Sequence, residues 1–105
     1  MFGALDFLNA TQAVTCVIEG EAPGADTIAR WWAVRRGISI DAYPAKWDEY
    51  GKAAGPIRNK QMLVEGKPDL VVAFTPDLST SRGTKNMVEQ ARLKSIPVLV
   101  IGHRL

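Results

Sequence analysis

The chain has 105 residues, enough for one domain with one modest core. Hydrophobic residues make up 47% and charged residues 23%, the balance of a soluble globular protein. The net charge of +2 excludes a strongly basic nucleic-acid arm. A lone cysteine, Cys16, excludes an intrachain disulfide framework. No apolar run reaches the roughly 18 residues of a membrane helix. The start, Met1-Phe-Gly-Ala-Leu-Asp6, lacks the basic region of a secretory signal. A reducing cytoplasm is therefore the expected compartment.

In chain order, Phe2–Leu8 predicts a helix with no strand before it. Val14–Ile18, Leu70–Phe74 and Pro97–Ile101 are short apolar runs and predict strands buried on both faces. Ile38–Tyr43 alternates, as an edge strand does. Between the strands, Gly24–Arg36, Ile57–Val64 and Gly83–Lys94 predict helices, the first stopped by Gly37. Lys46–Pro56 is the longest segment expected to be irregular. The alternation predicts a small α/β domain, Rossmann-like, with three α/β/α layers around a mostly parallel sheet. Because a doubly wound sheet normally opens on a strand, three expectations stand. The sheet is small, a neighbouring chain completes it, or the natural start lies upstream of Met1.

Three segments carry possible chemistry. Val17–Asp26 is strand, glycine-rich turn and helix, and ligands of open α/β sheets bind beyond the carboxyl ends of strands. Gly20, Gly24 and Ala25 admit close approach, and a helix start suits phosphate. Glu19, Glu21 and Asp26 argue the other way, since carboxylates suit ribose hydroxyls or a base amine. The plainer reading is a tight turn with Asp26 favouring the first helical turn. The second segment, Gly55–Met62, sets Arg58 and Asn59 in an expected first turn, where arginine opposes the helix dipole. That marks a bidentate anion site, or a surface arginine paired with Asp48 or Glu49. The third, Ser79–Thr84, is either a second anion cup or an ordinary helix cap by Ser81 or Thr84.

Trp47 either stacks on a base or closes the core. Along Gly24–Arg36, Ala25, Ile28, Ala29 and Trp32 share one face, and Trp31 falls about 100° away, exposed. An exposed tryptophan suggests a self-association surface, with a side pocket as the alternative. Cys16 is expected mid-strand, buried and inert. His103 is terminal, and there are too few cysteines and histidines for a zinc site. No cofactor is implied.

Taken together, these segments resemble the SLOG superfamily of Rossmann-like nucleotide-binding proteins, in particular its small YspA-like branch of bacteria and phages. Ala22-Pro-Gly-Ala-Asp26 with Ala29 and Trp32-Ala33 is similar to that branch's first block. Pro44-Ala45, Trp47, Gly51 and Ala54-Gly-Pro-Ile-Arg-Asn59 with Met62 resemble its second. Asp69–Phe74, Ser81-Arg-Gly-Thr84, Met87-Val88, Ala91 and Ile96-Pro-Val98 resemble its third. The likeness runs from about Val17 to Val100. It implies a sheet in 3-2-1-4-5 order and a nucleotide-like ligand at the glycine-rich edge. The branch's opening strand, central in that order, has no counterpart here, and its second glycine is replaced by Glu21.

More distantly, Arg58-Asn-Lys-Gln-Met62 resembles the R-K-x-x-M segment of Lonely Guy phosphoribohydrolases, so Arg58 falls on their catalytic arginine. Their two glutamates fall on Asn86 and Met87, and Glu89 lies a helical turn further on.

The leading expectation is binding of a nucleotide or ADP-ribose-like molecule, as a sensor or sequestering module. Gly20, Gly24 and Ala25 would offer backbone N–H groups. Glu21 and Asp26 would hold ribose hydroxyls. Arg58 and Asn59 would meet a phosphate, and Ser81, Gly83 and Thr84 would form a second phosphate cup. Trp47 would stack on the base. The first alternative is an N-glycosidic hydrolase using Arg58, with Glu21 as its candidate carboxylate. The second is a ligand-free module that self-associates through Trp31. The charge argues against nucleic acid, although Arg30, Arg35 and Arg36 cluster on one helix.

Overall fold

A computed structural model describes residues 2–22, 24–75 and 81–102. The order of elements is α1 (Phe2–Thr11), β1 (Cys16–Glu19), α2 (Ala25–Arg36), β2 (Ser39–Ala42), α3 (Trp47–Tyr50), a 3-10 turn (Gly51–Ala53), α4 (Ala54–Val64), β3 (Val71–Phe74), α5 (Arg82–Leu93) and β4 (Val98–Ile101). Strands alternate with helices, and both strand pairs are parallel. The fold class is thus the expected small Rossmann-like α/β type.

Two compact units divide the chain after Pro44. In the first, β1 pairs with β2 in register Cys16↔Ser39 through Glu19↔Ala42. Its helix α2 carries Asp26 in the first turn and Arg35 and Arg36 in the last, both favourable to the helix dipole. Gly37 ends it at φ 68°, a left-handed cap that glycine adopts without strain. Leu5, Trp32 and Ala33 are buried here. The Trp32 Nε1–H donates to Asp6 Oδ1 at 2.8 Å, and Arg36 holds both Asp6 oxygens, so α1 is bound to α2.

In the second unit, β3 pairs with β4 from Val71↔Val98 to Phe74↔Ile101. Ala54, Leu63, Ala73, Val88 and Ala91 are its buried apolar residues. Val88 and Ala91 lie three apart on α5 and so share one face. The described strands form two two-stranded parallel sheets, one in each unit, where one small sheet was expected. Among the described residues no strand pairs β1 with β3.

Three expectations are corrected. The segment Lys46–Pro56 is mostly helical, with α3 running through the 3-10 turn into α4. Pro56 falls inside the first turn of α4, where its missing N–H has no intrahelical partner to lose. The strands are not buried on both faces: Leu99 and Val100 of β4 are exposed, as two-stranded sheets leave an unpaired edge on each strand. Cys16 is exposed because β1 begins at it. Its thiol is pushed up, first by partial burial and then by Asp41, so it is held protonated. Trp31, by contrast, is exposed as its helical position predicts.

Candidate functional site

The expected site residues fall into two sets, one in each unit. The first set surrounds the turn from β1 to α2. Gly20 is buried, Glu21 is exposed and Gly24, Ala25 and Asp26 are half-buried. Gly24 adopts φ 86° and ψ −116°, a conformation closed to residues with a Cβ, so this glycine is required by the turn itself. Glu21 adopts φ 56°, in the left-handed region.

The turn's N–H groups converge, as in a backbone nest for an anion, but the chain's own carboxylates fill it. Asp26 Oδ2 accepts from Gly20 N at 3.0 Å and from Ala22 N at 3.2 Å. Glu19 Oε2 accepts from Glu21 N. The Glu21 side chain reaches Arg30 at 3.4 Å on the exposed face of α2. A phosphate entering this turn would have to displace carboxylates, and three acids would oppose it.

Sequence reasoning noted Glu19 only as one acid among three. The structure singles it out. Only 2% of its surface is exposed, and its Oε1 is buried with no hydrogen-bond partner among the described residues. A buried polar atom left unsatisfied costs about 1–3 kcal/mol. Burial, and then Asp26 and Glu21, push the Glu19 carboxyl above the usual range against the opposing Glu21 N–H and Arg30. The available sequence signal was its position as the last residue of a strand that feeds a glycine turn.

The second set lies on α3, α4 and the start of α5. Because α4 begins at Ala54, Arg58 stands in its second turn rather than the expected first, which removes the dipole argument for it. Hydrogen bonding takes its place. Arg58 Nε donates to Asn59 Oδ1 at 3.0 Å. Asn59 is buried, and its Nδ2 donates to Gly83 O at 3.2 Å and to Asn86 Oδ1 at 3.1 Å. Gln90 Nε2 continues the chain of amides to Asn86 Oδ1 and Pro56 O. Asn59 thereby fixes the Arg58 guanidinium stem to the first turn of α5.

That turn holds no acidic residue, and Ser81 at its N-cap makes no capping hydrogen bond. Its hydroxyl pairs instead with buried Thr75 at the end of β3, 2.7 Å away. Gly83 and Thr84 follow within the same turn. A helix start without acids, beside an arginine, attracts anions. Ser79 and His103 lie outside the described residues. Trp47 is exposed, and its ring rests on α4 where Gly55 lacks a side chain: a Cβ there would meet the indole at 3.4 Å. Thr75, Asn86 and Gln90 were not foreseen, because their roles arise from contacts across elements.

Among the described residues, no group of three or more His, Cys, Asp or Glu side chains is arranged to hold a metal ion. No described helix is long and apolar enough to cross a membrane.

A family model, that of the YspA, cpYpsA-related SLOG family, matches residues 1–50. The chain is 37% identical over 93 residues to the Gene 61 protein of Mycobacterium phage D29, a match covering 84% of this chain and 72% of that protein. No solved structure matches it.

Proposed function

Because the chain belongs to the YspA, cpYpsA-related SLOG family, whose theme is nucleotide-related ligand binding or processing, we propose that it binds a nucleotide or an ADP-ribose-like derivative without consuming it. It would act as a sensor or sequestering module. The observation that carries this reading is the link from Arg58 through Asn59 to Gly83, which fixes an arginine to an acid-free helix start. Arg58, Asn59, Ser81, Gly83 and Thr84 have phosphate chemistry. Gly20, Glu21, Gly24, Ala25 and Asp26 form a carboxylate-lined turn suited to the hydroxyls and amine of a nucleoside. Each unit thus carries, by itself, one of the two chemistries that a nucleotide presents. Trp47 is the candidate for stacking on its base.

Binding is favoured over N-glycosidic hydrolysis by Asn86. An oxocarbenium-like charge needs a carboxylate beside it. Asn86 has an amide, and its oxygen already accepts from Asn59 and Gln90. The same reading assigns Trp31 to self-association and the protein to the cytoplasm.

The test is a thermal-shift panel of nucleoside monophosphates, NAD, ADP-ribose and cyclic nucleotides, each mixture then weighed by mass spectrometry. A ligand at 100 times its Kd adds about 2.7 kcal/mol, a shift of several degrees at this size. The expected result is a shift with the ligand intact, lost in Arg58→Ala while the fold is kept. Release of free base would replace binding by hydrolysis, and no shift with any compound would overturn the reading.

A further inference from the structure

At the β1–α2 turn, two acids have found work within the fold and one oxygen has not. Asp26 closes the turn on the Gly20 and Ala22 N–H groups, and Glu21 faces Arg30. Glu19 spends Oε2 on the Glu21 N–H, while Oε1 of the same carboxyl group stays buried and unpartnered among the described residues. That oxygen is within one carboxyl group's width of the turn backbone. Asp26 and Glu21 beside it exclude an anion as the missing partner. What fits is an uncharged hydrogen-bond donor.

We propose that Glu19 is the ligand-selecting carboxylate of this turn, and that it takes an uncharged donor on a nucleoside, either a ribose hydroxyl or a base amine, rather than phosphate. The inference rests on the nucleotide reading above and assigns its nucleoside end. On binding the turn opens over Glu19, so that Oε1 meets the ligand's donor while Oε2 keeps its hydrogen bond from Glu21 N. Binding then supplies the partner that the free protein lacks.

Calorimetric titration of the full chain with adenosine tests this, with 2′,3′-dideoxyadenosine and inosine separating the two donors. Adenosine is expected to bind, and Glu19→Gln to weaken it at least tenfold. The amide must keep its oxygen on the Glu21 N–H and so turns an NH2 toward the ligand's own donor. Tenfold weaker binding of the dideoxy compound identifies the diol as the group held; tenfold weaker binding of inosine identifies the amine. These two arms use the unmodified chain and stand even if Glu19→Gln folds poorly. If both analogues bind like adenosine, the proposal is overturned. If AMP binding falls in Arg58→Ala but is unchanged in a folded Glu19→Gln, the nucleotide reading survives and the proposal does not. If neither adenosine nor AMP binds the unmodified chain, the proposal falls, and the nucleotide reading falls with it only when the whole panel gives no shift.

Discussion

At Glu21, backbone and side chain pull in different directions. Its φ of 56° is a conformation that disfavours any Cβ by about 1–2 kcal/mol. Its side chain offsets part of that through Arg30, but an exposed pair contributes only about 0–1 kcal/mol. Comparing two variants separates the effects. Glu21→Ala removes the ion pair and keeps the strain, whereas Glu21→Gly removes both. The glycine variant should therefore be the more stable of the two by about 1 kcal/mol, the reverse of the order expected in a helix. A melt should show a gap of roughly 4 °C or more. An alanine variant as stable as the glycine one would mean that the turn carries no strain. Replacement of a family glycine by Glu21 was legible in the sequence. That the position needs a left-handed backbone was not, because nothing local distinguishes it from its neighbours.

Asp6 shows, at the scale of elements, what a sequence reading can and cannot reach. Helix α1 was legible, and so were the strand and helix that follow it, since apolar periodicity and glycine stops are local signals. The contact that fastens α1 joins residues 26 and 30 apart, and no local pattern pairs them. The same limit hid the amide chain from Arg58 to Gln90, and with it the reason for Asn59. Lys46–Pro56 failed differently: Gly51, Gly55 and Pro56 look like breakers, but a proline in the first turn breaks nothing. Asp6 also makes a pH prediction. The Trp32 indole N–H, and then Arg36, hold its carboxyl below the usual range. A depressed folded value stabilises above the unfolded value, about 4, and that contribution is lost as pH falls through the folded one. Docking of α1 should thus be constant near neutrality and loosen below about pH 4. Near-UV circular dichroism of the Trp32 environment reads it. Asp6→Ala should remove the acid-side change and lower Tm at neutral pH, more than Arg36→Ala does. Equal effects of the two variants would mean that the ion pair, not the indole, fastens α1.

On the scale of the whole molecule, the apolar surface raises the question of self-association. Trp31 is 59% exposed and Val34 is 64% exposed. They stand three apart on α2 and so share one face, while α1 leaves Phe7 exposed at 69%. Trp31 and Val34 thus make an exposed apolar pair, and tryptophan is the residue most often found to dominate interfaces. Exposed Arg30 and Arg35 flank Trp31, giving the face a mixed apolar and basic character. A net charge of +2 provides little long-range repulsion between copies. Sedimentation velocity across a concentration series should therefore show a reversible dimer. Trp31→Ala should weaken it at least tenfold, since truncating a central interface tryptophan commonly costs 2 kcal/mol or more, roughly thirtyfold. Because Trp31 points away from the buried Trp32, its replacement should leave the melting of a dilute sample nearly unchanged. A loss of Tm at low concentration would show instead that Trp31 supports the fold. A chain that stays monomeric at several hundred micromolar would remove self-association and leave ligand binding to stand without it.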